Sequence, residues 1–151
     1  MQHIKHFMDS QNSIYASVSI NAQTQLIMTM WRGQVTEPYQ LSDVISFCCE
    51  QMNEHNLKSW LSDFTAIEGQ FSGLSAQAQK MVLEHVALTP LTHFALVSQL
   101  AANPSRSALL HVLRQVNVEV RSFDLFAPAI EWLILPAIED NIWESVKQKV
   151  Y

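Results

Sequence analysis

Glycine is nearly missing from this chain: three in 151 residues, at positions 33, 69 and 73. A loop that cradles phosphates on backbone N–H groups needs glycines clustered ahead of a helix, and no Walker-type run is present, so nucleotide binding of that kind is not expected. The GxSxG turn of a nucleophile elbow and the HExxH helix of a zinc hydrolase are missing too. Cysteine is limited to the adjacent pair Cys48 and Cys49. That spacing fits neither a zinc site nor a CxxC redox pair and leaves no partner for a disulfide framework, so both read as buried thiols of a reducing compartment. Charge is scarce, at 15% of residues against 48% apolar ones. So few charges leave apolar surface to be buried against another subunit, and a homodimer is expected. The nine basic residues are scattered singly and outnumbered by fourteen acids, for a net charge of -5. Without a basic patch to track a phosphate backbone, nucleic acid and anionic membrane are poor partners. No apolar run reaches membrane-spanning length, and the opening MQHIKHFMDSQN has no signal-peptide core. A cytoplasmic protein without integral membrane contact is the expectation.

What is present is apolar periodicity, in a chain long enough for one domain with a substantial core. Residues 1–12 are polar and aperiodic and read as a flexible lead-in, with a single α/β domain over 13–151. IYASVSI and LIMTMW, joined by NAQTQ, read as an antiparallel hairpin, with Ile14, Ala16, Val18 and Ile20 on one face and Leu26, Met28 and Met30 on one face of the partner. Thr36 is a plausible N-cap, with Glu37 and Pro38 in the first turn; Leu41, Val44, Ile45, Cys48 and Met52 then recur at helical spacing. KSWLSDF is a short strand. SAQAQKMVLEHVAL returns to helical spacing through Ala78, Met81, Val82, His85 and Val86, and THFALVSQL is a buried strand. Asn103 and Pro104 introduce a helix with Leu109, Leu110, Val112, Leu113 and Val116 as its stripe. VEVRSF is a strand, Asp124 an N-cap, and LFAPAIEWLI a short helix. Ile138, Ile142, Val146 and Val150 mark a last amphipathic helix over 137–150. Strands alternating with helices of roughly 10–15 residues predict a mixed, mostly parallel sheet of four or five strands with an N-terminal antiparallel hairpin, helices mainly on one face, and an extra C-terminal helix.

Among the polar residues, Asp63 stands out as the acid at the end of KSWLSDF. The carboxyl ends of parallel strands are where ligands act, yet an aspartate there also accepts N–H bonds from the following chain, which makes it a functional or loop-structuring acid. Thr65, Ser72 and Ser75 are candidate regulatory hydroxyls; Ser72 or Ser75 also serves as a helix cap. The six histidines are dispersed. His3 and His6 fall in the lead-in, and His85, His93 and His111 have no ligand spacing, so no metal and no cofactor is expected. Trp31, Trp60, Phe64 and Phe71 stand near strand ends as aromatics of a core or an interface.

The run WRG after the hairpin, W-L-x-D-F after the first helix, HFALVSQ, and VEVRSFD followed by A-x-E-W-L together resemble the STAS-like (SpoIIAA-like) fold of small standalone bacterial proteins, from about Ile14 to Leu135. The resemblance implies action through protein contacts and not through catalysis. In anti-sigma-factor antagonists of that fold, an Asp-Ser pair followed by glycine carries a phosphorylated serine; here the matching region reads EGQFSGL, with Ser72 and Gly73 near that place and Phe71 in the acid's approximate position. A lipid-binding branch of the fold implies a groove at Trp31, Trp60, Phe64 and Phe71. The leading expectation is therefore a regulatory or protein-interaction module with an unidentified protein partner. The second is a carrier or sensor of a small amphipathic ligand. An enzyme using Asp63 with His85 or His93 comes third, and no catalytic residue is assigned.

Overall fold

A computed structural model describes residues 1–68, 76–98 and 110–135. Phe71, Ser72, Ser75, Asn103, Pro104, Leu109 and the helix expected over 137–150 lie outside them. The chain builds strands β1 (Gln2–Met8), β2 (Ile14–Asn21) and β3 (Leu26–Gly33), helix α1 (Pro38–His55), strand β4 (Ser59–Ile67), helix α2 (Ala76–Val86), strand β5 (His93–Val97) and strand β6 (Glu119–Phe123). Residues 110–114 are helical (α3) ahead of β6, and residues 126–135 form a helix (α4) after it. The six strands lie in one sheet in sequence order, β1-β2-β3-β4-β5-β6. The first three pair antiparallel and β3 through β6 pair parallel. This is the mixed, mostly parallel architecture that the alternating pattern predicts, with six strands in place of the four or five expected because β1 joins the sheet.

Each parallel crossover steps one place in the same direction. Crossovers of one hand taken in one direction place their helices on one face of the sheet, and α1, α2 and α3 share a single core with Ala16, Val18, Ile20, Ile27, Trp60, Phe94 and Leu96. The opposite face then needs cover from elsewhere. Helix α4 supplies it, packing Ala129 and Leu133 against Leu26, Leu61, Ala95 and Val97. With both faces covered, β4 is buried continuously from Ser59 to Asp63, as expected of a parallel strand between helical layers.

Three expectations change. Gln2–Met8 form a strand paired with β2 and not a flexible lead-in. The pattern reads as aperiodic because an edge strand buries little, here Phe7 among exposed or half-exposed neighbours, and because a bulge interrupts its alternation. On β3, Leu26, Met28 and Met30 share one face as the alternation predicts, and the register places it on the α4 side: Ala16, Val18 and Ile20 stand opposite Trp31, Thr29 and Ile27, which pack under α1 and α2. The N-cap of α1 is Glu37, with Pro38 as the first helical residue. Thr36 precedes it, and the buried Gln40 side chain reaches back so that its Oε1 accepts the N–H of Thr36 and of Glu37, both at 3.0 Å. The α1 stripe Leu41, Val44, Ile45, Cys48 and Met52 is buried as the spacing predicts. On α2, Ala78, Val82 and Val86 are buried while His85 is exposed, its Nδ1 2.8 Å from the Met81 carbonyl oxygen.

Candidate functional site

Residues two apart on a strand share a face, so Thr29 and Trp31 of β3, and Trp60, Ser62 and Phe64 of β4, all project toward the helices. The register sets Thr29 beside Ser62, which brings each tryptophan diagonally opposite the other strand's hydroxyl. Trp31 Nε1 donates to Ser62 Oγ at 2.9 Å, and Trp60 Nε1 donates to Thr29 Oγ1 at 3.2 Å. The Thr29 hydroxyl donates to Ser62 Oγ at 3.1 Å and closes the chain. All four residues are buried, at 2% exposure or less. A buried indole N–H without an acceptor is costly, and the two hydroxyls supply one acceptor each. Trp31 stacks on Phe64 at 5.5 Å and 8°, while Trp60 meets Phe94 edge-on at 5.4 Å.

Trp31, Trp60 and Phe64 therefore lie together beneath α1 and α2. The space they leave, bounded also by Leu41, Ile45 and Val82, is about 10 Å³. That volume is on the order of one water-sized probe. The sequence alone does not single out Ser62 and Thr29. The available signal was the pair of patterns Thr-x-Trp and Trp-x-Ser, each placing a hydroxyl and an indole on the same side of its strand.

Asp63 lies within β4 and not at its end, because β3 continues to pair as far as Gly33 with Ile67. The ladder breaks between the Met30–Asp63 and Arg32–Ala66 pairs. At that break the Asp63 carboxylate accepts the Thr65 N–H at 2.9 Å, and the carboxylate is buried at 4% exposure. Thr65 itself is exposed. His93, at the start of β5, lies in the register row of Ser59 and Glu119, on the α4 side of the sheet, its ring centre 5.4 Å from that of Trp132. Its Nε2 is 3.0 Å from Glu119 Oε2 and its Nδ1 2.8 Å from Thr92 Oγ1. Asp63 stands in the Val97 row, four strand positions further along from His93, and His85 is exposed on α2. The acid–base pairing of Asp63 with His85 or His93 is thus not assembled.

Burial pushes the Cys48 thiol well above its ordinary range, reinforced by neighbouring Cys49, and pushes Cys49 up to about 12, with Glu50 adding to it. Both shifts disfavour the reactive thiolate. Tyr15 is raised to about 12, first by burial and then by the charge of Asp43. Among the described residues no group of three or more His, Cys, Asp or Glu side chains is placed to hold a metal ion, and no helix is long and apolar enough to cross a membrane.

A second region is open. Pro128, Glu131, Trp132 and Leu135 of α4 recur at helical spacing and, with Arg121 and Phe123 of β6, line a groove of about 450 Å³. The Arg121 guanidinium sits 5.9 Å from both the Phe123 and the Trp132 ring centres, and Leu135 is 52% exposed.

No protein-family model matches the chain, and no curated protein matches it. Among solved structures, it is similar to the crystal structure of an uncharacterized protein from the DUF3478 family with a SpoIIAA-like fold from Shewanella loihica. The identity is 16% and the TM-score 0.43, over 87% of this chain and 94% of that one.

Proposed function

We propose that the protein is a non-catalytic interaction module of the cytoplasm that binds through the groove between α4 and β6, and that the occupant of the groove is a second copy of the chain. The observation that carries this reading is the second apolar stripe of α4. Ala129 and Leu133 pack on the sheet with Trp132 partly buried beside them, yet Pro128, Leu135 and the outer part of Trp132 line an open groove. A helix with apolar residues on more than its core-facing stripe needs further cover. The same groove carries one charge of each sign, Arg121 and Glu131. Such a surface is self-complementary under a two-fold axis, where the arginine of one copy meets the glutamate of the other. The low charged fraction of the chain, 15%, supports self-association over exposure. Two free, buried cysteines are consistent with a reducing compartment.

Sedimentation equilibrium of the full chain at micromolar concentration tests the reading. A dimer is expected, weakened by Arg121→Glu and by Glu131→Arg singly and restored when the two exchanges are combined. A wild-type monomer refutes it, as does a dimer indifferent to both exchanges. The small-ligand reading keeps one supporting observation, that a groove of about 450 Å³ falls within the roughly 300–1,000 Å³ of small-molecule sites. It predicts a monomer whose binding of an apolar fluorescent probe is lost in Trp132→Ala.

A further inference from the structure

Two histidines that strand alternation ought to separate stand side by side. His3 and His6 of β1 are three residues apart, and in a regular strand such residues face opposite sides of the sheet. The register of β1 on β2 runs His3 to Ser19, then Lys5 to Val18, then His6 to Ser17, so Ile4 and Lys5 together oppose one residue of β2. A bulge of this kind resets the alternation. Ile4 packs against the core under α1, and the Lys5 ammonium lies 4.9 Å over the ring of Phe47 on α1. His3 and His6 are consequently left together on the opposite side, their ring centres 3.9 Å apart and tilted by 33°. Both are exposed. The His6 ring is also oriented, its Nδ1 2.8 Å from Ser17 Oγ.

We infer that His3 and His6 form a two-imidazole site for a divalent transition-metal ion, Ni²⁺, Cu²⁺ or Zn²⁺, with water completing the coordination. Metal–nitrogen bonds of about 2.0–2.1 Å at tetrahedral or right angles set the two ligand atoms roughly 3 Å apart. Rings 3.9 Å apart on adjoining exposed positions reach that separation by side-chain rotation without moving the strand. Imidazole suits these ions, and oxygen-seeking Mg²⁺ and Ca²⁺ are poorly served by it. When Ser17 Oγ accepts from His6 Nδ1–H across their 2.8 Å contact, Nε2 is left as the ligand atom; a fixed tautomer of this kind raises the quality of a histidine ligand. Lys5, the nearest cation in sequence, is carried to the other face by the same bulge and does not repel the ion there.

The test is isothermal titration of the untagged full chain with Ni²⁺ at neutral pH. One ion per chain is expected to bind, with His3→Ala and His6→Ala each weakening it by about tenfold or more, and Ser17→Ala by about tenfold. The exposed His111 of α3 serves as control, and His111→Ala is expected to leave the titration unchanged. Deletion of Ile4 removes the extra residue and leaves the histidines two apart opposite Ser19 and Ser17, on one face of a regular strand; it is expected to keep the binding while the circular dichroism spectrum stays that of the wild type, and a folded deletion variant that no longer binds overturns the pairing. Binding that survives His3→Ala or His6→Ala overturns the inference, as does wild-type binding no tighter than millimolar. If the Ile4 deletion unfolds the chain, the two alanine variants and the His111 control decide the question alone.

Discussion

Replacing Ser62 by alanine removes one oxygen from the interior and tests the reading of the tryptophan pair as packing. Ser62 Oγ accepts the Trp31 indole N–H at 2.9 Å and the Thr29 hydroxyl at 3.1 Å. The two partners fare differently in the variant. Thr29 can turn its hydroxyl toward the Leu61 carbonyl oxygen, 3.5 Å away, and still accept from Trp60. The Trp31 N–H loses the Ser62 acceptor in a side chain 2% exposed, beside a cavity of about 10 Å³. Losing one buried hydrogen bond of this kind costs about 1–3 kcal/mol, and the lost hydroxyl volume is too small to add a large cavity cost. The expected destabilisation is therefore about 1–3 kcal/mol, read from urea denaturation followed by tryptophan fluorescence. Trp31→Phe supplies the second arm of a double-mutant cycle, because phenylalanine has no N–H to strand. In that background Ser62→Ala is expected to cost about 1 kcal/mol less than in the wild type. A Ser62→Ala variant as stable as the wild type refutes the reasoning, and so does an equal cost in both backgrounds.

Asp63→Asn keeps an acceptor for the Thr65 N–H and is expected to stay within about 1 kcal/mol of wild type, whereas Asp63→Ala should cost more in the same melts; equal stability of the two variants removes the structural role. Leu133→Ala, at a position 1% exposed between α4 and the sheet, is expected to cost about 2–5 kcal/mol, and a loss below 1 kcal/mol, on that same scale, means that α4 does not cover this face. Tyr15 and Cys49 both have folded pKa values raised to about 12 from ordinary values of 10.0 and 9.0, so above those ordinary values the unfolded chain releases protons that the folded chain holds. Stability should be fully present below about pH 9 and fall as pH rises toward 12; Tyr15→Phe should flatten the upper part of the fall, and an unchanged alkaline profile in that variant contradicts the assignment. Both thiols should react with a disulfide reagent only on unfolding, and rapid labelling of the native chain contradicts their burial.

Much of this architecture is legible in the chain by itself because it rests on local causes. Pro38 and the recurrence of Leu41, Val44, Ile45, Cys48 and Met52 define α1 through helix periodicity and first-turn chemistry. The alternation of short apolar runs with helical stretches leads to a parallel sheet, since parallel neighbours require crossovers. Pairing decided what locality could not. β3 is apolar on both faces, Ile27 and Trp31 on one side and Leu26, Met28 and Met30 on the other, so only its register with β2 settles which side lies under α1 and α2. β1 has no usable period because a bulge offsets it and the sheet edge leaves most of it exposed. Trp31, Trp60 and Phe64 are recognisable as aromatics that belong together, but whether they line a groove or fill a core depends on how closely α1 and α2 approach them. The acceptors of their indoles, Ser62 and Thr29, are assigned by a cross-strand register that no single segment encodes. The same holds for His3 and His6: sequence spacing sets them on opposite faces of a strand, and one extra residue accommodated against β2 brings them together.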